Sequence, residues 1–383
     1  MSSGSLFEEE KERSPLPRIF LAIGLIVLII AGIVGYFAYQ SNKERVQAAR
    51  DVRAEENFRD TAINMLSHSR FSGDEFRAQL LGKGRLERFE RVNDDLYFTY
   101  PRSSQEEFDE FVNKFFVDKT KLEWAKEKDG KLEMGGYSVA VSDQTPYFFR
   151  TSVKNFKVDS TQPLNFPFKT VSYTINLREV KDFLDNTQVY GGNIAVDATQ
   201  RSSDPTLWFA NHGIMVGKPN EPTLQRLVKD LLKDVEDNRE KKIQRLVDFV
   251  SNEIEYNYTE AFGGGETLKR PNEILMTRNG DCSNKTILLA SLLEQIGEDY
   301  ILLYCPHHIT VGVQQGNFPN DNKMDFEWEK KNWLIAETTL PNFQVGITKV
   351  AGFDKITPIN FVQRPKEKNL IFDANSMKVL EFR

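Results

Sequence analysis

The chain is poor in the residues that several common kinds of functional site require. It has only two cysteines, Cys282 and Cys305, which are too few for the disulfide framework of a small secreted domain. Its 56 acidic residues outnumber its 50 lysines and arginines, and the net charge of −6 argues against a nucleic-acid-binding surface. It also lacks the glycine patterns that bind nucleotide phosphates and the second ligand pair that a zinc site needs. We therefore expect no nucleic-acid partner, no metal and no cofactor.

Residues 279–297 combine a tight turn, a cysteine and a strongly apolar helix. The turn at 279–281 delivers Cys282 to the first helical turn, with Asp281 among the candidate capping residues. Leucine and isoleucine then recur at helical spacing until Gly297 ends the helix. The positive end of a helix dipole favours the thiolate, which is the nucleophilic form of cysteine. By itself the segment fits a buried core cysteine equally well.

Two segments downstream supply the other groups that a nucleophilic thiol requires. Residues 300–305 predict a buried strand, and residues 308–314 predict a second strand that starts with His308. Residues 333–339 predict a third strand that carries one acid, Glu337. A cysteine nucleophile needs a base, and the base needs a third group to fix its tautomer and orientation. The order of thiol, imidazole and carboxylate along the chain favours such a site.

These motifs together resemble the transglutaminase-like superfamily, whose core is a papain-like Cys-His-Asp fold. The segment Gly280-Asp281-Cys282 and its leucine-rich helix are similar to the nucleophile segment of that family. His308-Ile-Thr-Val-Gly-Val is similar to its histidine strand, and residues 333–339 are similar to its aspartate strand. The helix-and-tyrosine stretch at 243–256 is similar to the part that leads into the family's core.

The resemblance, which covers about residues 239–340, implies a fold and a set of catalytic residues. The fold is α+β, with the cysteine-bearing helix packed on an antiparallel sheet. The implied catalytic residues are Cys282 as nucleophile, His308 as base and Glu337 as the group that orients the histidine. Glu337 stands where the family usually has aspartate, but glutamate can equally accept the imidazole N–H.

Two members of this triad, His308 and Cys282, have a neighbour or partner that offers an alternative. His307 adjoins His308, but neighbouring residues of a strand face opposite sides, so only one can face the thiol. His308 fits the frame of the family's strand, which leaves His307 in the preceding loop. A disulfide between Cys282 and Cys305 would suit an oxidising compartment but would abolish the nucleophile. We expect Cys305 to be a reduced core residue, because it lies in an apolar strand.

Residues 19–39 predict an N-terminal transmembrane helix. These 21 residues contain no charge and are long enough to cross a bilayer. A cleaved signal peptide would have an apolar region of only about 7–15 residues, and the aromatic residues at 35–39 favour a membrane interface instead. The lysines and arginines on the two sides are nearly balanced. We expect a single-pass, bacterial-type membrane protein whose soluble part lies outside the cytoplasm, since long C-terminal domains translocate largely regardless of charge.

The remaining sequence divides by composition into a charged segment, a β-rich part and the part that carries the motifs. The predicted organisation is an N-terminal tail (1–18), a transmembrane helix (19–39), a charged helical stalk (40–69), a β-rich accessory domain (70–215) and a transglutaminase-like domain (220–383). We expect a fragment that begins near Phe71 to be soluble, because no core motif precedes that residue.

Three functions remain open at the level of the sequence. The first is a membrane-anchored cysteine peptidase or amidase that acts on a protein or peptide through a thioester intermediate. The second is a true transglutaminase, in which an amine resolves the same intermediate. The third is an inactive module that binds a partner. We favour acyl-transfer chemistry, and hydrolysis over transfer to an amine.

Overall fold

The computed structural model describes residues 16–67, 74–81, 88–142, 145–181, 194–195, 199–201, 208–210, 212–262, 267–305, 308–319, 325–347, 361–364, 370–373 and 378–381. The contacts divide the chain into two compact units, Met1–Asn57 and Phe58–Arg383. Helices and mostly antiparallel sheets occur together, so the predicted α+β class is confirmed.

The helices of the described residues are α1 (Leu16–Ser67), α2 (Asp74–Leu81), α3 (Gln105–Phe115), α4 (Pro222–Leu231), α5 (Arg239–Glu253), α6 (Tyr258–Ala261), α7 (Pro271–Thr277) and α8 (Cys282–Gln295). The strands up to residue 210 are β1 (Arg88–Val92), β2 (Asp95–Tyr100), β3 (Glu123–Trp124), β4 (Lys126–Lys128), β5 (Lys131–Met134), β6 (Tyr137–Ala140), β7 (Tyr147–Ser152), β8 (Leu164–Pro167), β9 (Ser172–Ile175), β10 (Ile194–Ala195), β11 (Thr199–Arg201) and β12 (Trp208–Ala210). The later strands are β13 (Glu255–Tyr256), β14 (Thr267–Leu268), β15 (Asn279–Gly280), β16 (Tyr300–Cys305), β17 (His308–Gln314), β18 (Asp325–Trp328), β19 (Lys331–Ala336), β20 (Phe361–Gln363), β21 (Leu370–Asp373) and β22 (Lys378–Glu381).

Helix α1 includes the segment that the sequence analysis assigned to a membrane span. Among the described residues, no helix combines the length and the apolar character that crossing a membrane requires. The span predicted over residues 19–39 is not confirmed and stays a prediction.

The last turns of α1 contribute to the core of the second unit. Ala62, Ile63 and Leu66 are fully buried, while Asn64 between them is exposed. This spacing places the apolar side chains on one helical face, as expected for a helix that packs against a core. Core side chains therefore precede Phe71, contrary to the premise that no core motif precedes that residue, and the solubility of a fragment starting there stays a prediction.

The many phenylalanines of the first half form a packed core. Helix α3 places Phe108, Phe111 and Phe115 on one buried face. That face packs with the four-stranded sheet β1-β2-β7-β3, in which the rings of Phe98 and Phe149 stack with their centroids 5.2 Å apart. The phenylalanines thus serve packing in the accessory part. Most buried apolar side chains from Ala62 to Val345 form one hydrophobic cluster, and Ile301, Leu303, Trp333, Ile335 and Val362 form a second one. The predicted boundaries at 70–215 and 220–383 stay predictions.

A seven-stranded antiparallel sheet carries the C-terminal half, with the strand order β18-β19-β17-β16-β20-β21-β22. Helix α8 packs against β16 and β17, and α4, α5 and α7 pack on its other sides. The helix is consequently buried along almost its whole length, which explains why its leucines and isoleucines are not confined to one face. The arrangement brings the N-terminus of α8 close to the start of β17.

Candidate active site

Cys282 is the first residue of α8, and the turn that precedes it is held by backbone pairing. Asp281 is the N-cap, and its carboxylate accepts a hydrogen bond from the backbone N–H of Asn284 at 3.0 Å. Strand β15 pairs in parallel with β13, which places Gly280 opposite Tyr256. A Cβ at Gly280 would lie 2.7 Å from the Cβ of the buried Asn284, so the close approach requires glycine. The sequence prediction of a capped cysteine at a helix start agrees with this geometry.

His308 begins β17 and lies opposite Cys305 on β16. Its Nε2 is 2.7 Å from Oε2 of Glu337, and its side chain is also hydrogen-bonded to Cys282. Since Glu337 occupies Nε2, the nitrogen that remains for the thiol is Nδ1. Cys282 is partly exposed and 27 % of the His308 side chain is accessible, so the pair can be reached from solvent.

Glu337 lies one residue beyond the end of β19, not within the strand as the sequence indicated. It is 1 % exposed, and both carboxylate oxygens have hydrogen-bond partners. Oε2 faces His308, while Oε1 accepts from the backbone N–H groups of Thr338 at 2.8 Å and Thr339 at 2.7 Å, and from Thr339 Oγ1 at 2.7 Å. The additional methylene of glutamate is accommodated because the chain turns back around the carboxylate after the strand.

The electrostatics of the site favour a charged His308–Glu337 pair. Burial of His308 opposes the imidazolium and by itself would lower the pKa. Hydrogen bonds to Cys282 and Glu337, together with the charges of these two residues, outweigh burial and raise the pKa of His308 to about 10. Burial likewise opposes the Glu337 carboxylate, but its bond to His308 and its bonds to Thr339 lower its pKa. An imidazolium held between a thiol and a carboxylate is the arrangement of an activated cysteine nucleophile.

The second cysteine has a different environment. Cys305 is 8 % exposed, and burial, followed by the charge of Glu337, raises the pKa of its thiol to about 12. Both cysteines are free thiols. His307, which was predicted to lie in the loop before His308, falls outside the described residues.

A buried polar network behind the cysteine turn was missed by the sequence analysis. Lys269 is 1 % exposed, and its ammonium lies 2.8 Å from Glu260 Oε1 and 2.8 Å from Asn279 Oδ1. Asn284 accepts from the backbone N–H of Lys269 at 2.7 Å and donates to Glu260 Oε2 at 3.3 Å. The network ties α6 and β15 to the first turn of α8. The sequence signal was the run of polar residues at 283–286, which directly precedes the apolar part of α8.

Lys285 is a second buried cation, one helical turn after Cys282. Its ammonium donates to the carbonyl oxygens of Ile254 at 2.7 Å and Ser251 at 3.4 Å, where α5 ends. A helix leaves such terminal carbonyls without partners inside the helix. Burial lowers the pKa of Lys285 to about 8, although the charge of Glu337 opposes this shift.

Metal ligands are not grouped in the described part of the chain. Within those ranges, no cluster of three or more histidine, cysteine, aspartate or glutamate side chains could hold a metal ion. The histidine and carboxylate side chains near Cys282 are instead hydrogen-bonded to other protein groups, as described above.

Comparison with known proteins adds to this geometry. Residues 223–314 match a family described as a transglutaminase-like domain. These residues are therefore similar to a transglutaminase-like domain. The resemblance to the transglutaminase-like superfamily seen in the sequence is thereby confirmed for these residues. The match starts in α4, includes Cys282 and His308 and ends with β17, so Glu337 lies beyond it. In comparisons with curated proteins and with solved structures, nothing matches the chain.

Proposed function

We propose that the transglutaminase-like domain is a cysteine-dependent acyl-transfer enzyme that cleaves an amide bond of a protein or peptide. The supporting observation is the hydrogen-bonded series from Cys282 through His308 to Glu337, in which both carboxylate oxygens have hydrogen-bond partners. The proposed catalytic residues are Cys282 as nucleophile, His308 as acid and base, and Glu337 as the positioning residue.

In the proposed first half-reaction, the sulfur of Cys282 attacks the carbonyl carbon of the substrate amide while His308 holds the thiol proton. The tetrahedral oxyanion accepts a hydrogen bond from the backbone N–H of Cys282 at the start of α8, which has no acceptor within the helix. The carbon–nitrogen bond then breaks as His308 protonates the departing amine. A thioester on Cys282 results.

In the second half-reaction, a water molecule attacks the thioester carbonyl. His308 takes a proton from the water, the carbon–sulfur bond breaks, and the acid product and the thiolate of Cys282 are regenerated beside a protonated His308. Hydrolysis is favoured over transfer to an amine because the Cys282–His308 pair is partly exposed, and a transglutaminase must exclude water from its thioester.

Acyl-enzyme trapping tests the proposal on the full-length protein. Mixing with p-nitrophenyl acetate, followed by acid quench and intact-protein mass spectrometry, is expected to show one acetyl group on Cys282. Cys282→Ala should remove the adduct, while Cys305→Ala should retain it. Butylamine added during turnover shows whether the acetyl-enzyme reacts with an amine or with water. Butylacetamide as product would indicate transfer, and acetate would indicate hydrolysis. A wild-type protein without an adduct would instead identify the domain as an inactive binding module.

We also propose that residues 19–39 anchor the protein in a membrane with the catalytic part outside the cytoplasm. The support is the run of 21 uncharged residues in the sequence. Alkaline carbonate extraction of membranes tests the anchor, because an integral protein stays in the pellet. A reporter that is active only in the cytoplasm, fused after Arg383, tests the orientation and is expected to be inactive.

A further inference from the structure

Helix α6 lies beside the cysteine turn with its polar side chains directed inward. Asn257, its N-cap, accepts from the backbone N–H of Glu260 at 3.1 Å and donates to Asn279 Oδ1 at 3.2 Å. Glu260 is bonded to Lys269 and to Asn284, as described above. The inner side of α6 is therefore fixed by polar contacts to the residues that position Cys282.

The outer side of the same segment is aromatic. Tyr258 is 67 % exposed and Phe262 is 83 % exposed. Their rings lie nearly parallel, at 11°, with centroids 6.4 Å apart. This is the reverse of an ordinary surface helix, which buries its apolar side chains and exposes its polar ones. Packing within the described chain does not account for the exposed rings.

The row of rings continues towards the turn that carries Cys282. The ring of Tyr256 meets that of Tyr258 edge to face, with centroids 4.9 Å apart. The backbone of Tyr256 pairs with Gly280, and the N–H of Asn257 donates to the carbonyl of Gly280 at 3.1 Å, two residues before Cys282. Burial and then the charges of Cys282 and Asp281 raise the pKa of Tyr256 to about 12, so its phenol stays protonated beside the thiol. We call Tyr256, Tyr258 and Phe262 the aromatic ledge.

We propose that the aromatic ledge is a substrate subsite that binds an apolar or aromatic side chain of a polypeptide, next to the carbonyl that Cys282 attacks. This inference rests on the proposed function, because it assigns the ledge to the same acyl-transfer site. The ledge runs outward from the strand that pairs with the cysteine turn, and polar contacts hold its inner side to that turn. A residue flanking the scissile bond would occupy this position.

The chemistry of the ledge favours an apolar side chain over a sugar. Asn257 and Glu260 direct their hydrogen bonds inward, so the outer side offers chiefly ring faces. Aromatic faces contact apolar and aromatic groups in stacked or edge-to-face geometry. A sugar ring needs several directed hydrogen bonds in addition to a ring face, and a short peptide needs only the apolar contact.

Matched covalent probes test the inference on the full-length protein. The probes are the chloromethyl ketones of acetyl-Phe-Gly and acetyl-Gly-Gly, and the measurement is the second-order rate of alkylation of Cys282 by mass spectrometry. The ratio of the two rates within one protein cancels any change in intrinsic thiol reactivity. Wild type is expected to prefer the phenylalanine probe by about tenfold, the selectivity that one apolar contact typically gives.

The variants locate this preference. The double substitution Tyr258→Ser, Phe262→Ser should bring the ratio close to one, whereas Phe262→Tyr should retain most of it because the ring is kept. Val117→Ser, which also removes an exposed apolar side chain, should leave the ratio unchanged. An equal ratio in wild type and in the double variant would overturn the inference while leaving the thiol chemistry intact. Failure of both probes and of iodoacetamide to label Cys282 faster than Cys305 would overturn the proposed function, and the inference with it.

Discussion

The Nε2 atom of His308 lies 2.7 Å from Oε2 of Glu337, although 29 residues separate them in the chain. Registered pairing of β17 with β19 brings them together, since Val311 lies opposite Ala336. The carboxylate is also held by three donors from Thr338 and Thr339. A histidine with its Nε2 occupied in this way presents Nδ1 to the thiol in one orientation only.

Glu337→Gln should therefore reduce the rate of acyl transfer strongly while the fold is retained. The amide keeps the shape of the side chain but cannot stabilise the imidazolium, and the loss of turnover is expected to be about 10⁴-fold, by comparison with the aspartate of a serine-protease triad. Steady-state hydrolysis of p-nitrophenyl acetate measures the effect. Glu327→Gln, an exposed glutamate on the adjoining strand, is the matched control and should retain full activity. Equal rates for the two variants would remove Glu337 from the proposed mechanism.

The two thiols should differ sharply in reactivity. Near neutral pH, iodoacetamide should alkylate Cys282 and leave Cys305 unmodified, because Cys305 is buried and the pKa of its thiol is raised to about 12. Peptide mapping after limited alkylation gives the two rates. His308→Ala should slow alkylation of Cys282 alone. Faster modification of Cys305 in the native protein would contradict the assignment of the nucleophile.

The protonation of His308 should be visible as a function of pH. Its pKa of about 10 exceeds the ordinary value of 6.5, so its protonated pair with Glu337 stabilises the native state fully below about pH 6.5. That contribution is lost as the pH rises through about 10. The difference in unfolding free energy between wild type and His308→Ala should narrow over this window. NMR of the imidazole C–H resonances measures the midpoint directly, and a value near 6.5 would contradict the charged pair.

Lys285 should give the opposite dependence on pH. Because burial lowers its pKa from 10.5 to about 8, the unfolded chain binds a proton more readily than the native protein, and stability should rise with pH between these values. The Lys285→Met variant lacks this gain in stability with rising pH. Its unfolding free energy relative to that of wild type should therefore fall by roughly 3 kcal/mol from pH 8 to pH 10.5. Urea unfolding at several pH values measures it. Lys229→Met, at an exposed lysine of α4, should show no such trend.

The end of α1 should be essential to the second unit. Leu66→Ala creates a cavity at a fully buried position and should lower the free energy of unfolding by about 2–5 kcal/mol. Asn64→Ala, at the exposed position between the buried residues, should change it by less than about 0.5 kcal/mol. A fragment that begins at Phe71 should unfold at lower denaturant concentration than one that begins at residue 41. Equal midpoints for the two fragments would show that these turns of α1 are dispensable.

Much of the candidate site could be predicted from the sequence because its signals are local. A capping aspartate, a cysteine and an apolar helix follow one another directly, and capping and helical periodicity depend on residues within a few positions. The strands of Tyr300–Cys305 and His308–Gln314 were likewise predicted with their observed bounds, since a short apolar run bounded by turn residues is a strong strand signal. The resemblance to the transglutaminase-like family followed from these elements, and the resemblance implied the α+β class.

The tertiary structure decided what depends on contacts between distant parts of the chain. The register of the sheet decides which nitrogen of His308 contacts Glu337. It also decides how the carboxylate is held beyond the end of β19, and local sequence does not encode this register. Lys269 and Lys285 resemble surface lysines in the sequence, and only the packing of α5, α6 and α8 buries them with partners. The aromatic ledge shows the converse, because Tyr258 and Phe262 resemble core residues until the packing of α6 leaves them exposed beside Cys282. Local sequence determines which elements form, whereas burial is a property of the neighbours that the fold supplies.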